Sequence, residues 1–400
     1  MEFDLTWALW GLPLAFVGGW LASRFDIRQW RLEGRSAPKS YFKGLNYLLN
    51  EQQDEAIDAF IEAVQHDPDT TELHFALGNL FRSRGDHDRA IRVHQHLLDR
   101  SDLSRGDTDR AQHALSLDFL RAGLLDRAEA SLRRLQDTPY ASEAQVLLLA
   151  LYERTSDWPQ AIAMAEQLES ANRGSFKSRM AHYGCEMARE HLLRGHTEQA
   201  QAALEQALQI HPESARARLE LAHLLEQQGH TDRACSELQA LAQLAPNALP
   251  LAAATMARLA LCDAQHAAQV QRVLTEAQHR RPCLDYVDAL VSLLPTNDVA
   301  SRSVLYLEHL QREPSLAVAN RWLALRGVTD PDTGTQEASG VNSAESAALP
   351  AVVAQALQKA TLPLQRYRCA ACGFEASTYF WQCPGCQTWD SYNPRRVDDL

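Results

Sequence analysis

Runs of Val, Ile and Thr alternating with period two are scarce in this 400-residue chain, so there is little from which to build a sheet. Ala, Leu, Gln, Glu and Arg dominate instead, a composition that selects helix. A surplus of positive charge is also missing. With 39 Lys and Arg against 51 Asp and Glu, the formal net charge is −12. General nucleic-acid binding is therefore disfavoured, because neutralising phosphates needs Lys and Arg gathered on one face. The partners expected are proteins and no nucleic acid. Disulfide-like spacing is absent from Cys185, Cys235, Cys262 and Cys283, which lie singly in helical sequence and read as small buried hydrophobes. The remaining four cysteines cluster near the end, and unpaired thiols beside such a cluster suit a reducing compartment. His94, His96, His182, His191, His211 and His223 form no H-E-x-x-H or comparable pair, and no other catalytic constellation appears, so the chain does not read as an enzyme. At 46% hydrophobic and 22% charged, it is long enough for two or three folded domains and too apolar for wholesale disorder.

What is present is a repeat. In Tyr41 to Pro68, YFKGLNYLLNEQQDEAIDAFIEAVQHDP, residues Gly44, Tyr47, Ala56, Phe60, Ala63 and Pro68 fall at offsets of 0, 3, 12, 16, 19 and 24. Helical periodicity places the large residues on one face of each half. Small Gly44 and Ala56 let two helices approach closely, and Pro68 ends the second. Gly44 recurs as Gly78 and Ala56 as Ala90, and Ala128, Ala161, Ala200 and Ala234 continue the close-contact position at uneven intervals. Gly85, Gly123, Gly195 and Gly229 each precede such an alanine by five residues, where a left-handed turn between helices is needed. Asp88, Asp126, Glu198 and Asp232 follow those glycines by three, where they meet the positive end of the second helix. Pro212 and Pro246 close two later hairpins; beyond them only Pro282 and Pro314 punctuate the pattern.

This spacing resembles the tetratricopeptide repeat, although Ser40, His74 and Arg218 stand where that pattern has Trp. The resemblance implies a superhelical groove, lined by the first helix of each hairpin, that binds extended peptides or partner helices. Asn46, Asn79, His113 and Arg189 are candidates for that groove, the alternative being a solvated polar face.

Leu5 to Ala22, LTWALWGLPLAFVGGWLA, carries no charge and as a helix would reach about 27 Å, enough to cross a bilayer once. Leu5, Trp7, Trp10, Phe16, Trp20 and Leu21 are its candidate membrane-anchoring residues; indole rings favour the interface, and Pro13 is tolerated in such a helix. A cleaved signal peptide is disfavoured by Glu2 and Asp4, which stand where a positive region is needed; a buried core helix is the other alternative. Arg24, Arg28, Arg31, Arg35, Lys39 and Lys43 follow the apolar run and no Lys or Arg precedes it, which places the body in the cytoplasm and the N-terminus outside. Arg24, Arg28, Arg31 and Arg35 share one helical face that either meets anionic head groups or only sets topology.

Thr329 to Ser346 is a polar linker, and Leu349 to Ala360 is an amphipathic helix candidate that docks the tail against the last hairpin. Then come Cys369-Ala-Ala-Cys372-Gly373 and, ten residues on, Cys383-Pro384-Gly385-Cys386. Two Cys-x2-Cys turns present four thiolates that close a tetrahedral site for zinc or iron, with Gly373 and Gly385 expected to permit the turns. Disulfides or a redox dithiol pair are the alternatives. About thirty residues bury too little core to fold alone, so the metal supplies folding energy. Tyr367, Phe374, Tyr379, Trp381 and Trp389 are the expected aromatic core. A zinc ribbon reading nucleic acid through Arg366, Arg368, Arg395 and Arg396 is a further alternative that the net charge disfavours.

The paired knuckles, the Cys-Pro-x-Cys form of the second and the nearby aromatics resemble rubredoxin, with a shorter loop between the knuckles. In their order, the apolar span, basic stretch, repeat array and four-Cys tail resemble the lipopolysaccharide assembly protein B family of Gram-negative bacteria. The resemblance implies an all-α fold: a tetratricopeptide-repeat superhelix with one N-terminal transmembrane helix and a small rubredoxin-like domain. The corresponding segments are a transmembrane helix (1–23), a basic juxtamembrane segment (24–36), a repeat array with six clear hairpins and a degenerate end (37–326), a linker (327–348), a short helix (349–362) and the four-Cys domain (363–400). It further implies one iron ion, with zinc possible, on Cys369, Cys372, Cys383 and Cys386. The function implied is that of an inner-membrane adaptor bringing the lipid A pathway deacetylase LpxC to the membrane protease FtsH, with contacts to lipopolysaccharide export and sensing proteins. A membrane-tethered redox protein and a general interaction scaffold are the competing readings.

Overall fold

From Lys39 to Gly327 the described backbone is a succession of helices joined by short turns, and the glycines show why the turns are short. The computed structural model describes residues 39–50, 52–66, 70–261, 264–327 and 358–399, with isolated positions at 16–17 and 356. It divides into two compact units, Met1–Thr155 and Ser156–Leu400.

In the first unit the helices are α1 (Lys39–Leu49), α2 (Gln53–His66), α3 (Thr71–Arg84), α4 (His87–Leu98), α5 (Arg105–Ala122), α6 (Leu125–Arg133) and α7 (Ala141–Thr155). Gly85 (φ 86°) and Gly123 (φ 75°) end α3 and α5 in the left-handed conformation, and their N–H groups cap the carbonyls of the preceding turn. A side chain there would be strained. Asp86 and Ser104 accept backbone N–H bonds at the starts of α4 and α5, satisfying donors that a helix start leaves open. A Cβ on Gly44 would sit 3.0 Å from the Phe60 ring, and one on Gly78 would sit 2.5 Å from the His94 ring. These two glycines are what let α1 meet α2 and α3 meet α4. Ala56, Phe60, Ala63, Leu73, Leu77 and Leu80 form the core between them.

The second unit contains α8 (Trp158–Ser170), α9 (Lys177–Leu193), α10 (Thr197–Ile210), α11 (Ala215–Gln227), α12 (Thr231–Leu244), α13 (Leu249–Ala260), α14 (Ala264–Arg280), α15 (Leu284–Leu293), α16 (Val299–Arg312) and α17 (Leu316–Gly327). Gly195 and Gly229, both at φ 80°, repeat the turn of the first unit. Glu198 and Asp232 stand in the first turns of α10 and α12. Gly184 allows another close approach, since its Cβ would fall 2.9 Å from that of Ala207. Beyond Pro246, where the sequence pattern fades, the hairpins continue as α13 with α14 and α15 with α16; their apolar faces, including Leu249, Ala253, Met256, Leu274 and Tyr286, join the same core as Leu221 and Leu225.

The tail adds one two-stranded antiparallel pairing, β1 (Tyr367–Arg368) with β2 (Glu375–Ala376). Of the expected short helix, residues 358–361 are helical. Among the described residues no helix is long and apolar enough to cross a membrane. Leu5, Trp7, Trp10, Trp20 and Leu21, together with Arg24, Arg28, Arg31 and Arg35, the linker and Cys262, lie outside the described residues; Phe16 is exposed.

Candidate metal centre

Two similar turns bring the four cysteines together. In the first, Cys369 N–H donates to Phe374 O (2.9 Å) and Gly373 N–H returns to Cys369 O (2.9 Å); in the second, Cys383 N–H donates to Thr388 O (3.0 Å) and Gln387 N–H to Cys383 O (2.8 Å). The left-handed position of the first turn is Gly373 (φ 76°) and that of the second is Gln387 (φ 58°). Gly385, expected to serve as the turn glycine, does not have a positive φ. It lies one residue before the second cysteine, where a Cβ would be in ordinary contact with Phe374 and Cys372.

All four sulfurs lie within 4.8 Å of one another, with Cys369 and Cys386 3.8 Å apart and Cys372 and Cys383 3.6 Å apart. A tetrahedral ion with metal–sulfur bonds of about 2.3 Å spaces its ligands by about 3.8 Å. The donor set therefore fits a single thiolate-bound metal ion. Cys383 is fully buried and Cys372 exposed, so the site has a dry side and a surface side. Thr388 Oγ1, 3.3 Å from Cys386 Sγ, holds that thiol below its ordinary value. For Cys369 burial acts upward, but Ser391 Oγ at 3.3 Å and nearby backbone N–H groups outweigh it and bring the thiol to about 6. Both shifts favour the deprotonated sulfur that a metal requires; at Cys372 the Phe374 backbone hydrogen bond acts downward, but burial and the three neighbouring thiols outweigh it and push the thiol up to about 12.

The aromatic cluster differs from expectation in two members. Tyr367, Tyr379 and Trp381 meet edge to face at 5.5 and 4.9 Å, and Tyr392 joins them 6.0 Å from Tyr379. Phe374, by contrast, is 44% exposed. Trp389, whose backbone pairs with Gln382 inside the module, stacks its ring on His182 of α9, centroids 4.8 Å apart.

That stack begins a seam running along the second unit. Asp390 accepts from Ser178 Oγ (2.8 Å) and from His182 Nε2 (2.9 Å). Burial pushes this carboxyl up, but the His182 and Ser178 hydrogen bonds prevail and hold it below the ordinary carboxylate value. Arg216 of α11 lies over the Trp389 ring at 6.0 Å, itself fixed between Glu186 (2.8 Å) and Glu220 (2.6 Å). Leu251 of α13 packs against the tyrosines and cysteines of the module. Arg396 pairs with Asp285 of α15 at 3.0 Å, and Asp398 accepts from Ser315 Oγ and, at 3.3 Å, from Ala317 N in the first turn of α17, where a carboxylate complements the helix dipole. The module thus rests on α9, α11, α13, α15 and the start of α17, the first helix of successive hairpins. The module reaches beyond the last hairpin; most of Leu349 to Ala360, the helix expected to dock the tail there, lies outside the described residues.

The other groove candidates are placed separately. Asn46 is exposed on α1. Asn79 accepts from Arg82 on the same helix, His113 stacks on Tyr140 at 4.6 Å, and Arg189 pairs with Glu186 at 2.6 Å. Sequence reasoning passed over Ser178, His182, Arg216 and Asp390 as a group, because the hydrogen bond that unites His182 and Asp390 spans 208 positions and leaves no spacing to read.

Stacked helical hairpins carrying a four-thiolate module define the class of repeat scaffold with a structural metal domain. Residues 367–394 match the rubredoxin metal binding domain, and residues 73–111 and 191–259 match the tetratricopeptide repeat. The chain is 31% identical over 395 residues to lipopolysaccharide assembly protein B of Escherichia coli (strain K12), covering 97% of this chain and 98% of that protein. It is 28% identical over 401 residues to the protein of the same name from Haemophilus influenzae, covering 96% of each. A solved tetratricopeptide repeat protein from Parabacteroides merdae is also similar, at 14% identity and a TM-score of 0.32, covering 64% of this chain and 100% of that one. The chain belongs to the lipopolysaccharide assembly protein B family.

Proposed function

We propose that this protein is an inner-membrane adaptor that regulates lipopolysaccharide biosynthesis by bringing the deacetylase LpxC to the protease FtsH, with further contacts to export or sensing proteins. The observation that carries the reading is the likeness to lipopolysaccharide assembly protein B over 97% of the chain, repeats and four-Cys module included. In this reading residues 1–23 anchor the protein in the inner membrane once, with the N-terminus periplasmic and the body cytoplasmic. Arg24, Arg28, Arg31 and Arg35 hold that topology at the cytoplasmic face. Partners dock on the first helices of the hairpins, and because the module covers those of the second unit from α9 onward, α1, α3, α5 and α7 of the first unit are the candidates. Depleting the protein in cells and following the deacetylase after translation is stopped tests the reading: its half-life lengthens if the adaptor delivers it for degradation, and an unchanged half-life overturns the proposal.

For the metal, the proposal is one iron ion on Cys369, Cys372, Cys383 and Cys386, zinc being the alternative that the same thiolates accept. Iron gives the purified protein a visible absorbance that changes reversibly on reduction; a colourless protein with one equivalent of zinc replaces iron by zinc.

A further inference from the structure

A cavity of about 950 Å³ opens where the module meets α12, α13 and α14, a volume in the range of small-molecule sites. Its lining is unusual for a chain of net charge −12, because it gathers Arg272, Arg280, Arg281 and Arg395 against only Glu276 and Asp390. Asp390 is already engaged by Ser178 and His182, and Glu276 stands 3.9 Å from Arg280. Among the described residues Arg272 and Arg281 make no ion pair.

Arg395 is the member that asks for a ligand. It is 8% exposed, donates to the Pro282 carbonyl and has its closest carboxylate, Glu313, at 3.7 Å. Its Nε–H is buried and meets no acceptor among the described residues. A buried guanidinium held by one carbonyl and one distant carboxylate is incompletely compensated, and an anion supplied from outside removes that cost. Around the arginines stand the carboxamides of Gln239, Gln243, Gln269 and Asn393 and the rings of Tyr286 and Tyr392. Carboxamides pair with hydroxyl groups, tyrosine rings cover apolar sugar faces, and several converging arginines suit a phosphate dianion better than a single carboxylate.

We propose that this cavity binds a phosphate monoester of a polyhydroxylated compound, with Arg272, Arg281 and Arg395 on the phosphate and the carboxamides on the hydroxyls. Because α14 supplies one wall and residues 390–395 another, the ligand bridges module and repeats and favours the docked tail. The inference does not rest on the adaptor reading above. The same chemistry is offered by a soluble sugar phosphate and by the phosphorylated head group of a lipid.

The test uses the full chain in detergent micelles, with calorimetric titration of glucose 1-phosphate and, in a second arm, binding to phosphatidylcholine vesicles with and without phosphatidylinositol phosphate. The comparison protein carries Arg272→Gln and Arg281→Gln, both at exposed positions, and circular dichroism and metal content confirm that it folds. Glucose 1-phosphate binding that weakens roughly tenfold or more in the variant, the order expected for losing charge-assisted contacts, supports the site and a soluble ligand. A phosphoinositide-dependent increment in vesicle binding, lost in the variant, with no response to glucose 1-phosphate, supports the site and a lipid ligand. No phosphate-dependent signal in either arm, an unchanged affinity in the variant, or equal binding of acetate at matched ionic strength overturns the proposal.

Discussion

In the first unit, Asp118 of α5 is fully buried and takes hydrogen bonds from Arg82 of α3 (2.9 Å) and from His94 of α4; in the second, His182 of α9 is equally buried but meets a carboxylate, Asp390, that arrives with the tail. One network ties three neighbouring helices to a fully buried carboxylate, and its removal leaves the buried His94 without that acceptor. The other presents donors to a carboxylate carried by the tail, and Asp390 itself is 48% exposed. The difference is one of cost. A buried pair broken from one side loses several kcal/mol, whereas donors released to water recover most of what they give up. The first arrangement makes a repeat stack rigid, and the second makes a docking seat.

Metal removal has the largest expected effect and falls on one side only. Structural zinc in small domains supplies about 10–16 kcal/mol of folding free energy, so a chelator strong enough to strip the four thiolates unfolds residues 367–394 and releases Trp389 and Asp390 from α9. Hydrogen exchange reads this as lost protection across the module and newly exposed amides around Ser178 to Tyr183. Retained protection of the module in metal-free protein would show that the aromatic cluster folds unaided. Next in size comes Asp118→Ala, which takes from His94 its carboxylate acceptor and from Arg82 its ion-pair partner and costs about 3–5 kcal/mol. Exchange in α3, α4 and α5 accelerates, with α9 to α11 in the same spectra as the reference; a change below about 1 kcal/mol would mean that both donors find water or other acceptors, closing the gap between the two networks.

Much of this was readable from residue order because local geometry leaves a local trace. A turn that needs a left-handed residue selects glycine, which is why Gly85, Gly123, Gly195 and Gly229, all at φ between 75° and 86°, mark the hairpins. A helix contact that tolerates no side chain selects Gly44 and Gly78. Two Cys-x2-Cys turns likewise announce four convergent sulfurs. Gln387 escaped notice because a non-glycine at φ 58° carries no compositional mark. The docking seat escaped for another reason: Ser178, His182, Arg216 and Asp285 are ordinary polar residues on helices until the tail folds back over them. Phe374 and Trp389 show the same limit, since aromatic composition predicts burial but not whether a ring faces its own module or a neighbour.

Trp389→Ala sharpens the comparison from the docking side. The indole is 8% exposed and lies between the His182 ring, the Tyr183 edge at 6.1 Å and the Arg216 guanidinium. Truncating such a central aromatic anchor costs about 2 kcal/mol or more. The four cysteines are untouched, so metal content stays at one equivalent while exchange around Ser178 and His182 rises. Loss of metal in this variant would show instead that docking and metal binding are one cooperative event.

The smallest effect is one that the two units share. Burial pushes His113 of the first unit, stacked on Tyr140, and His223 of the second, 3.0 Å from Thr255 Oγ1, below the ordinary imidazole value. The folded chain therefore favours the neutral ring, and between the folded value and the ordinary value of about 6.5 the unfolded chain binds more protons. Stability from each ring is fully present above about pH 6.5 and declines as pH falls from there toward the folded value. Lowering the pH from 7 to 5 should accelerate exchange in both α5 and α11, and His113→Gln should remove that response from α5 while leaving it in α11. A response confined to one unit would carry the asymmetry of the buried networks into the titration of the molecule; equal responses confine it to the network and the docking seat.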